Sequence, residues 1–239
     1  LAIVVANFTT FIIASLILGD LFKNEFKLTW NRLRLGFLYI FSFGLPLILH
    51  QSSFFIKGQL DRIFIYQQYS KAELGIYSAG VQVAAVLPIV LMALNKAIVP
   101  YYYQGLKENS LTVEKIKKYT LLSLPICLLP ALVGWLLPEQ VYVWFLGQGY
   151  SESKYYTVLY LLGFGVNLPY LLLVNYFFYY GRNLLISKIT FFSSVIYLIC
   201  MFFLIKKGIE FIPFALVSSN IVMIICLVMN LKEKNNESK

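Results

Sequence analysis

Seven stretches of this chain are apolar for long enough to cross a lipid bilayer, which removes most folds otherwise open to a sequence of 239 residues. A helix needs about 20 residues to span a hydrocarbon core about 30 Å thick. The stretches run near Leu1–Leu18, Leu35–Tyr66, Leu74–Tyr103, Tyr119–Leu137, Tyr155–Tyr180, Leu184–Ile205 and Ile209–Met229. They are apolar all round rather than at every second residue, which excludes a β-barrel pattern. With 59% hydrophobic and 13% charged residues the composition is also too apolar for a soluble domain of this size. The expected fold is all-α: a polytopic transmembrane bundle of about seven helices.

The placement of the charges says more than their sum of +9. Lys23, Lys27, Arg32 and Arg34 share one connection, Lys107, Lys115, Lys117 and Lys118 another, Arg182 and Lys188 flank a third, and Lys232, Lys234 and Lys239 form the tail. These alternate with connections that carry only Lys71, Lys154, Lys206 and Lys207. Such asymmetry is the positive-inside pattern, and it puts the C-terminus in the cytoplasm. It accounts for the charge without nucleic acid. Cys127, Cys200 and Cys226 lie singly in separate apolar stretches, so they indicate packing rather than a metal cluster or disulfide framework.

The chain opens at Leu1 inside an apolar run with no charged flank, so we expect the C-terminal part of a longer protein. Residues 1–18 are then the last helix of an N-terminal lobe, and 19–34, Gly19 to Arg34, a cytoplasmic linker amphipathic enough to lie along the inner surface. Residues 35–229 form a six-helix C-terminal lobe and 230–239 a cytoplasmic tail. No connection exceeds about 18 residues, too short for an extramembrane catalytic domain. Pro46, Pro88, Pro100, Pro125, Pro130, Pro169 and Pro213 lie within the spans. Each removes a backbone donor, so its kink should face a neighbouring helix or a wet cavity, as in transporters; proline is also simply more frequent in membrane helices.

The second stretch contains "HQSSFFIKGQLDR", with the only histidine of the chain. At about 100° per residue, His50, Phe54, Lys57 and Asp61 stay within roughly 60° of one another on one helical face. At about 1.5 Å per residue His50 falls near mid-bilayer, Lys57 in the outer leaflet and Asp61 close to the outer boundary, with Arg62 pointing away towards the headgroups. An ionisable group at the bilayer centre costs about 3 kcal/mol and is kept where it faces a bundle interior or a water-filled cavity. Lys57 and Asp61, one turn apart, can partly neutralise each other. Snorkelling of Lys57 and Arg62, and an interhelical hydrogen-bonded histidine, are the plainer readings; the shared stripe favours a cavity-lining helix. Asn95 and Lys96 in the third span and Asn167 and Asn175 in the fifth extend it. The many tyrosines of the fifth span read as an interfacial belt rather than sugar-stacking platforms. "GFG" at 163–165 lacks the setting of a dinucleotide site, so close helix packing is its expected role. No phosphate loop, zinc motif or nucleophile–base pair is present, so neither a cofactor nor an enzymatic activity is expected.

"GLPLILHQSSFFIKGQLDRIFI", "AELGIYSAGVQVAAVLPIVL" and "AIVPYYYQGLK" together resemble the C-terminal lobe of bacterial O-antigen and capsular polysaccharide flippases, the Wzx-type exporters of the MOP superfamily. The features that carry the resemblance are Gly44, Leu45 and Pro46; Asp61 and Arg62; Gly75, Tyr77 and Ser78; and Pro100. It departs at "KKGIEFIPFALVSS", where Glu210 and Pro213 stand in place of a second glycine and small residues. The resemblance implies a MOP/MATE-like transporter fold of twelve helices, with the sixth to twelfth in this chain. It also implies flipping of undecaprenyl-diphosphate-linked oligosaccharide across the bacterial cytoplasmic membrane, by alternating access through a cationic cavity. His50, Lys57, Asp61, Arg62, Asn95, Lys96, Asn167 and Asn175 are the expected cavity residues. The lipid-linked oligosaccharide and the bilayer are the expected partners, with protons or sodium as coupling ions and the polysaccharide polymerase machinery as further candidates. The rivals are a cation-coupled multidrug exporter, a lipid II flippase of the same superfamily, and a membrane glycan polymerase or ligase.

Overall fold

The computed structural model describes residues 2–21 and 29–232 and contains helices and no strand among them. Part of the expected linker, with Lys23 and Lys27, and most of the expected tail, with Lys234 and Lys239, lie outside the described residues. The chain divides into two compact units, Leu1–Leu45 and Pro46–Lys239. The first contains α1 (Ala2–Leu21), α2 (Trp30–Tyr39) and a π-helical turn at Ile40–Gly44. Then follow α3 (Leu45–Gln68), α4 (Lys71–Ala84), α5 (Val86–Lys107), α6 (Val113–Leu136), α7 (Glu139–Leu146), α8 (Ser153–Gly165), α9 (Asn167–Tyr179), α10 (Asn183–Leu204) and α11 (Pro213–Asn230). Among the described residues six helical segments are long and apolar enough to cross a membrane: Trp30–Gln68, Lys71–Lys107, Val113–Leu136, Ser153–Tyr179, Asn183–Leu204 and Ile209–Asn230. The first apolar stretch is helical too, with its apolar part at Val5–Ile17. The molecule is a polytopic helical bundle.

Two spans are broken in the same way. α4 gives way to α5 at Ala85 (φ −65°, ψ −12°), and α8 to α9 at Val166 (φ −61°, ψ −13°). Pro88 and Pro169 follow these breaks, and having no N–H they leave the carbonyls of Ala84 and Gly165 without their helical donors. Pro100, Pro125 and Pro130 lie inside continuous helices, and Pro213 starts α11. The divergent "IEFIPF" segment forms a 3-10 turn at Ile209–Phe211, and Ile212, Ala215 and Leu216 behind it are buried.

The connection from Pro138 to Lys154 is more than a turn. It holds α7, whose Tyr142 is buried with its hydroxyl on Gly134 O (2.7 Å) while Trp144 and Phe145 project outward. The α3–α4, α6–α8 and α10–α11 connections gather at one end of the second unit: Tyr69 donates to Ile205 O (2.6 Å) and Tyr155 to Glu210 O (3.1 Å). Burial, then the carboxylates of Glu210 and Glu73, push the Tyr69 phenol up, so it remains a donor.

Among the described residues the second unit has two apolar cores. One joins Tyr102, Ile116, Leu173, Phe177, Ile186, Met223 and Leu227; the other, at the Tyr69 end, joins Ile65, Tyr77, Tyr160, Tyr197, Met201, Ile212 and Leu216. Between them lies a layer of buried polar side chains, Lys57, Thr190, Ser193, Ser219 and Asn220. The helices approach closely there. A Cβ added at Gly163 would stand 2.8 Å from Leu216 Cδ2, and one at Gly165 only 2.1 Å from Cys127 O, so "GFG" serves helix packing.

Candidate functional site

The polar face of α3 turns into the bundle: His50, Ser53, Lys57 and Asp61 are all buried, at 6%, 1%, 5% and 1% exposure. A helix bearing these groups in hydrocarbon needs a polar partner for each. α10 supplies them for His50 and Lys57, in register, while Ser53 donates to Leu49 O on its own helix (2.8 Å). Ser187 donates to Pro46 O, Thr190 Oγ1 meets His50 Nδ1 (3.1 Å), and Ser193 Oγ accepts from Lys57 Nζ (2.6 Å). Tyr69 on Ile205 O closes the series. Residue numbers rise together along both helices, so α3 and α10 run parallel, as spans separated by an odd number of crossings must.

Lys57 and Asp61 take separate partners rather than each other. The ammonium of Lys57 also donates to Asn220 Oδ1 (2.9 Å), whose amide in turn donates to Gly163 O (3.1 Å). Asp61 Oδ2 accepts from Tyr77 (2.5 Å) and Tyr160 (2.7 Å), which leaves neither phenol a proton for the close contact between the two hydroxyls. Asp61 Oδ1 accepts the Arg62 backbone N–H (2.8 Å). Tyr197, 1% exposed, completes the ring of phenols, its hydroxyl lacking a hydrogen bond. Asp61 and Tyr77, far apart in the motif that carried the resemblance, are thus in direct contact.

A cavity of about 370 Å³ opens beside His50, between α3, α5 and α9. Both broken spans build it: Pro88, Leu91 and Asn95 come from α5, and Asn167, Tyr170 and Asn175 from α9. His50 is held at its edge by Thr190 and, through Nε2, by the Tyr170 hydroxyl (3.3 Å), with Phe54 edge-on at 5.1 Å. Asn175 Nδ2 donates to Asn95 Oδ1 across the cavity wall (2.7 Å).

The structure thus brings His50, Asn95, Asn167 and Asn175 around one cavity and sets the other four apart. Lys57 and Asp61 sit in separate buried networks. Arg62 folds back on its own helix, donating to Gly58 O (3.2 Å) and Gln59 Oε1 (2.6 Å), and Lys96 is exposed. Among the described residues no lysine or arginine lines this cavity. Sequence reasoning missed Thr190, Ser193, Asn220, Tyr77 and Tyr160 as partners. The recurrence of Ser187, Thr190, Ser193 and Tyr197 at three- and four-residue steps was the available signal for α10. Among the described residues no group of three His, Cys, Asp or Glu side chains could hold a metal ion.

Comparison with known proteins adds an independent line. The model of a family described as polysaccharide biosynthesis protein matches residues 1–155, which include His50, Lys57, Asp61 and Asn95 but not Asn167 or Asn175. An Lsg locus protein of Haemophilus influenzae is 47% identical over 189 residues, 79% of this chain and 47% of its own length. A membrane protein of the same organism is 41% identical over 215 residues, 90% of this chain and 53% of its own. The chain spans about half the length of these curated relatives. No solved structure matches it.

Proposed function

The chain belongs to the polysaccharide biosynthesis protein family and is a multi-pass membrane protein, and from that premise we propose that it moves lipid-linked oligosaccharide across the bacterial cytoplasmic membrane. Each sugar hydroxyl stranded in hydrocarbon without a partner costs about 2–7 kcal/mol, so a glycan of several residues does not cross unaided. A bundle that performs this task needs polar surface inside and apolar surface outside. The observation that carries the reading is the amide-lined cavity beside His50, set in a bundle whose outward side chains are apolar. Proline-broken helices around a mid-span cavity are the architecture by which transporters expose a site alternately to the two sides. The polyprenyl tail stays in lipid throughout.

The test is deletion of the gene in its native host. Surface polysaccharide should disappear while the lipid-linked repeat unit accumulates on the cytoplasmic leaflet, and the intact gene should restore display. Single repeat units on the cell surface would instead identify a polymerase, and polymer held on its carrier outside would identify a ligase.

The charge asymmetry supports a cytoplasmic position for the end bearing Lys115, Lys117, Lys118 and Arg182, and with it for the C-terminus. The opposite end carries Glu73, Glu139, Glu152 and Glu210 around one cleft. In a variant with the native cysteines replaced by serine, a cysteine at Glu152 should react with a membrane-impermeant maleimide in intact cells. One at Lys118 should react only after lysis. The reverse pattern would invert the topology.

A further inference from the structure

The cavity has a character that export alone does not demand: among the described residues its walls bear amides set among aromatic and aliphatic side chains, and no Asp, Glu, Lys or Arg. A diphosphate head group would call for arginine, lysine or a metal ion. The nearest buried cation, Lys57, is already engaged by Ser193 and Asn220 and faces another set of helices. What remains suits a ligand rich in neutral hydroxyls. The Asn175–Asn95 bond uses one donor and one acceptor and leaves the Asn95 NH2 and the Asn175 carbonyl to a guest. The side-chain amides of Asn167 and Gln51 add a donor and an acceptor each. Phe54 and Phe178 supply faces whose negative π-density attracts the positively polarised C–H groups of a pyranose ring. The volume, about 370 Å³, lies at the lower end of the about 300–1,000 Å³ of small-molecule sites.

We propose that this cavity is a binding pocket for an uncharged sugar unit, gripped by Gln51, Asn95, Asn167 and Asn175 against Phe54 and Phe178, and does not receive the diphosphate. The proposal rests on the oligosaccharide-export reading and names the part of that substrate the pocket takes. Discrimination follows from the same groups. A hydroxyl in the wrong configuration leaves a buried amide unpaired, at about 1–3 kcal/mol, whereas loss of a stacking contact costs less.

The test uses the full-length protein in lipid nanodiscs, titrated with methyl glycosides of neutral hexoses and N-acetylhexosamines and, separately, with inorganic pyrophosphate, followed by saturation-transfer NMR. At least one neutral glycoside should bind, and Asn167→Leu and Gln51→Leu should each weaken it by about tenfold, the equivalent of a hydrogen bond or two. Pyrophosphate binding should be unchanged in both variants. Gln51 is exposed, so its variant remains informative if Asn167→Leu fails to fold. The proposal is overturned if no glycoside binds, if binding survives both substitutions, or if the substitutions abolish pyrophosphate binding. Normal polysaccharide display after gene deletion would defeat the export reading alone, whereas loss of display without glycoside binding would defeat only this pocket assignment.

Discussion

Replacing Asp61 with alanine should destabilise the protein by about 3–5 kcal/mol, the largest effect of any single polar substitution on α3. The carboxylate accepts from the buried hydroxyls of Tyr77 and Tyr160, and each lost bond to a charged group is worth about 1.5–3 kcal/mol. Without the carboxylate the two phenols can bond to each other, but only one of them can donate in that contact, so a buried hydroxyl proton is left over. The loss comes chiefly from stranded donors, and removing them should recover part of it. Asp61→Ala combined with Tyr77→Phe and Tyr160→Phe should therefore melt higher than Asp61→Ala alone. Thermal unfolding in detergent, followed by near-ultraviolet circular dichroism, measures both. If the triple variant melts no higher than the single one, the network is not what holds this end of α3.

The second large effect belongs to a residue with no polar group. A methyl group at Gly165 would lie 2.1 Å from Cys127 O and 3.1 Å from Cys127 C, both backbone atoms that no rotamer change can move. Gly165→Ala must push α6 away from the α8–α9 junction, and the cost should exceed the usual 1–3 kcal/mol or so of overpacking. We expect little folded protein to be recovered from membranes. Gly163→Ala is the internal control, because its added methyl meets only side-chain atoms, Leu216 Cδ2 at 2.8 Å and Cγ at 3.2 Å, which can yield more readily than backbone. It should melt only slightly below the wild type. Equal recovery of the two alanine variants would show that the helices separate more easily than this packing implies.

The spans and the inward face of α3 were legible in the sequence because both rest on local periodicity: apolar length, and polar residues at three- and four-residue steps. What those polar residues touch was not. Lys57 looked able to neutralise Asp61 a turn away, yet it bonds to Ser193 and Asn220, more than a hundred residues distant. Serine, threonine and asparagine are ordinary in membrane helices, and nothing local marks the ones that meet a charge. Tyr77 and Tyr160 were hidden because tyrosine in a membrane helix is expected at the interface, whereas these two are fully buried on a carboxylate. Lys96 shows the opposite failure. Its place next to Asn95 predicts a share in the same surface, but adjacent helical residues point about 100° apart, and Lys96 faces outward while Asn95 lines the cavity. The cavity itself was half legible. Pro88 and Pro169 mark the breaks, but that both breaks face one hollow depends on how the spans are arranged around each other.

The parallel pairing of α3 with α10 has a consequence for biosynthesis. Asp61 meets Tyr77 after 16 more residues have been made, but Lys57 waits 136 residues for Ser193 and 163 for Asn220. At about 5–20 residues per second of translation, the 136-residue interval lasts about 7–27 s. For that time the two acceptors that hold the ammonium group in the folded bundle have not been made. The ribosome delivers the helix that needs these partners well before the helices that provide them.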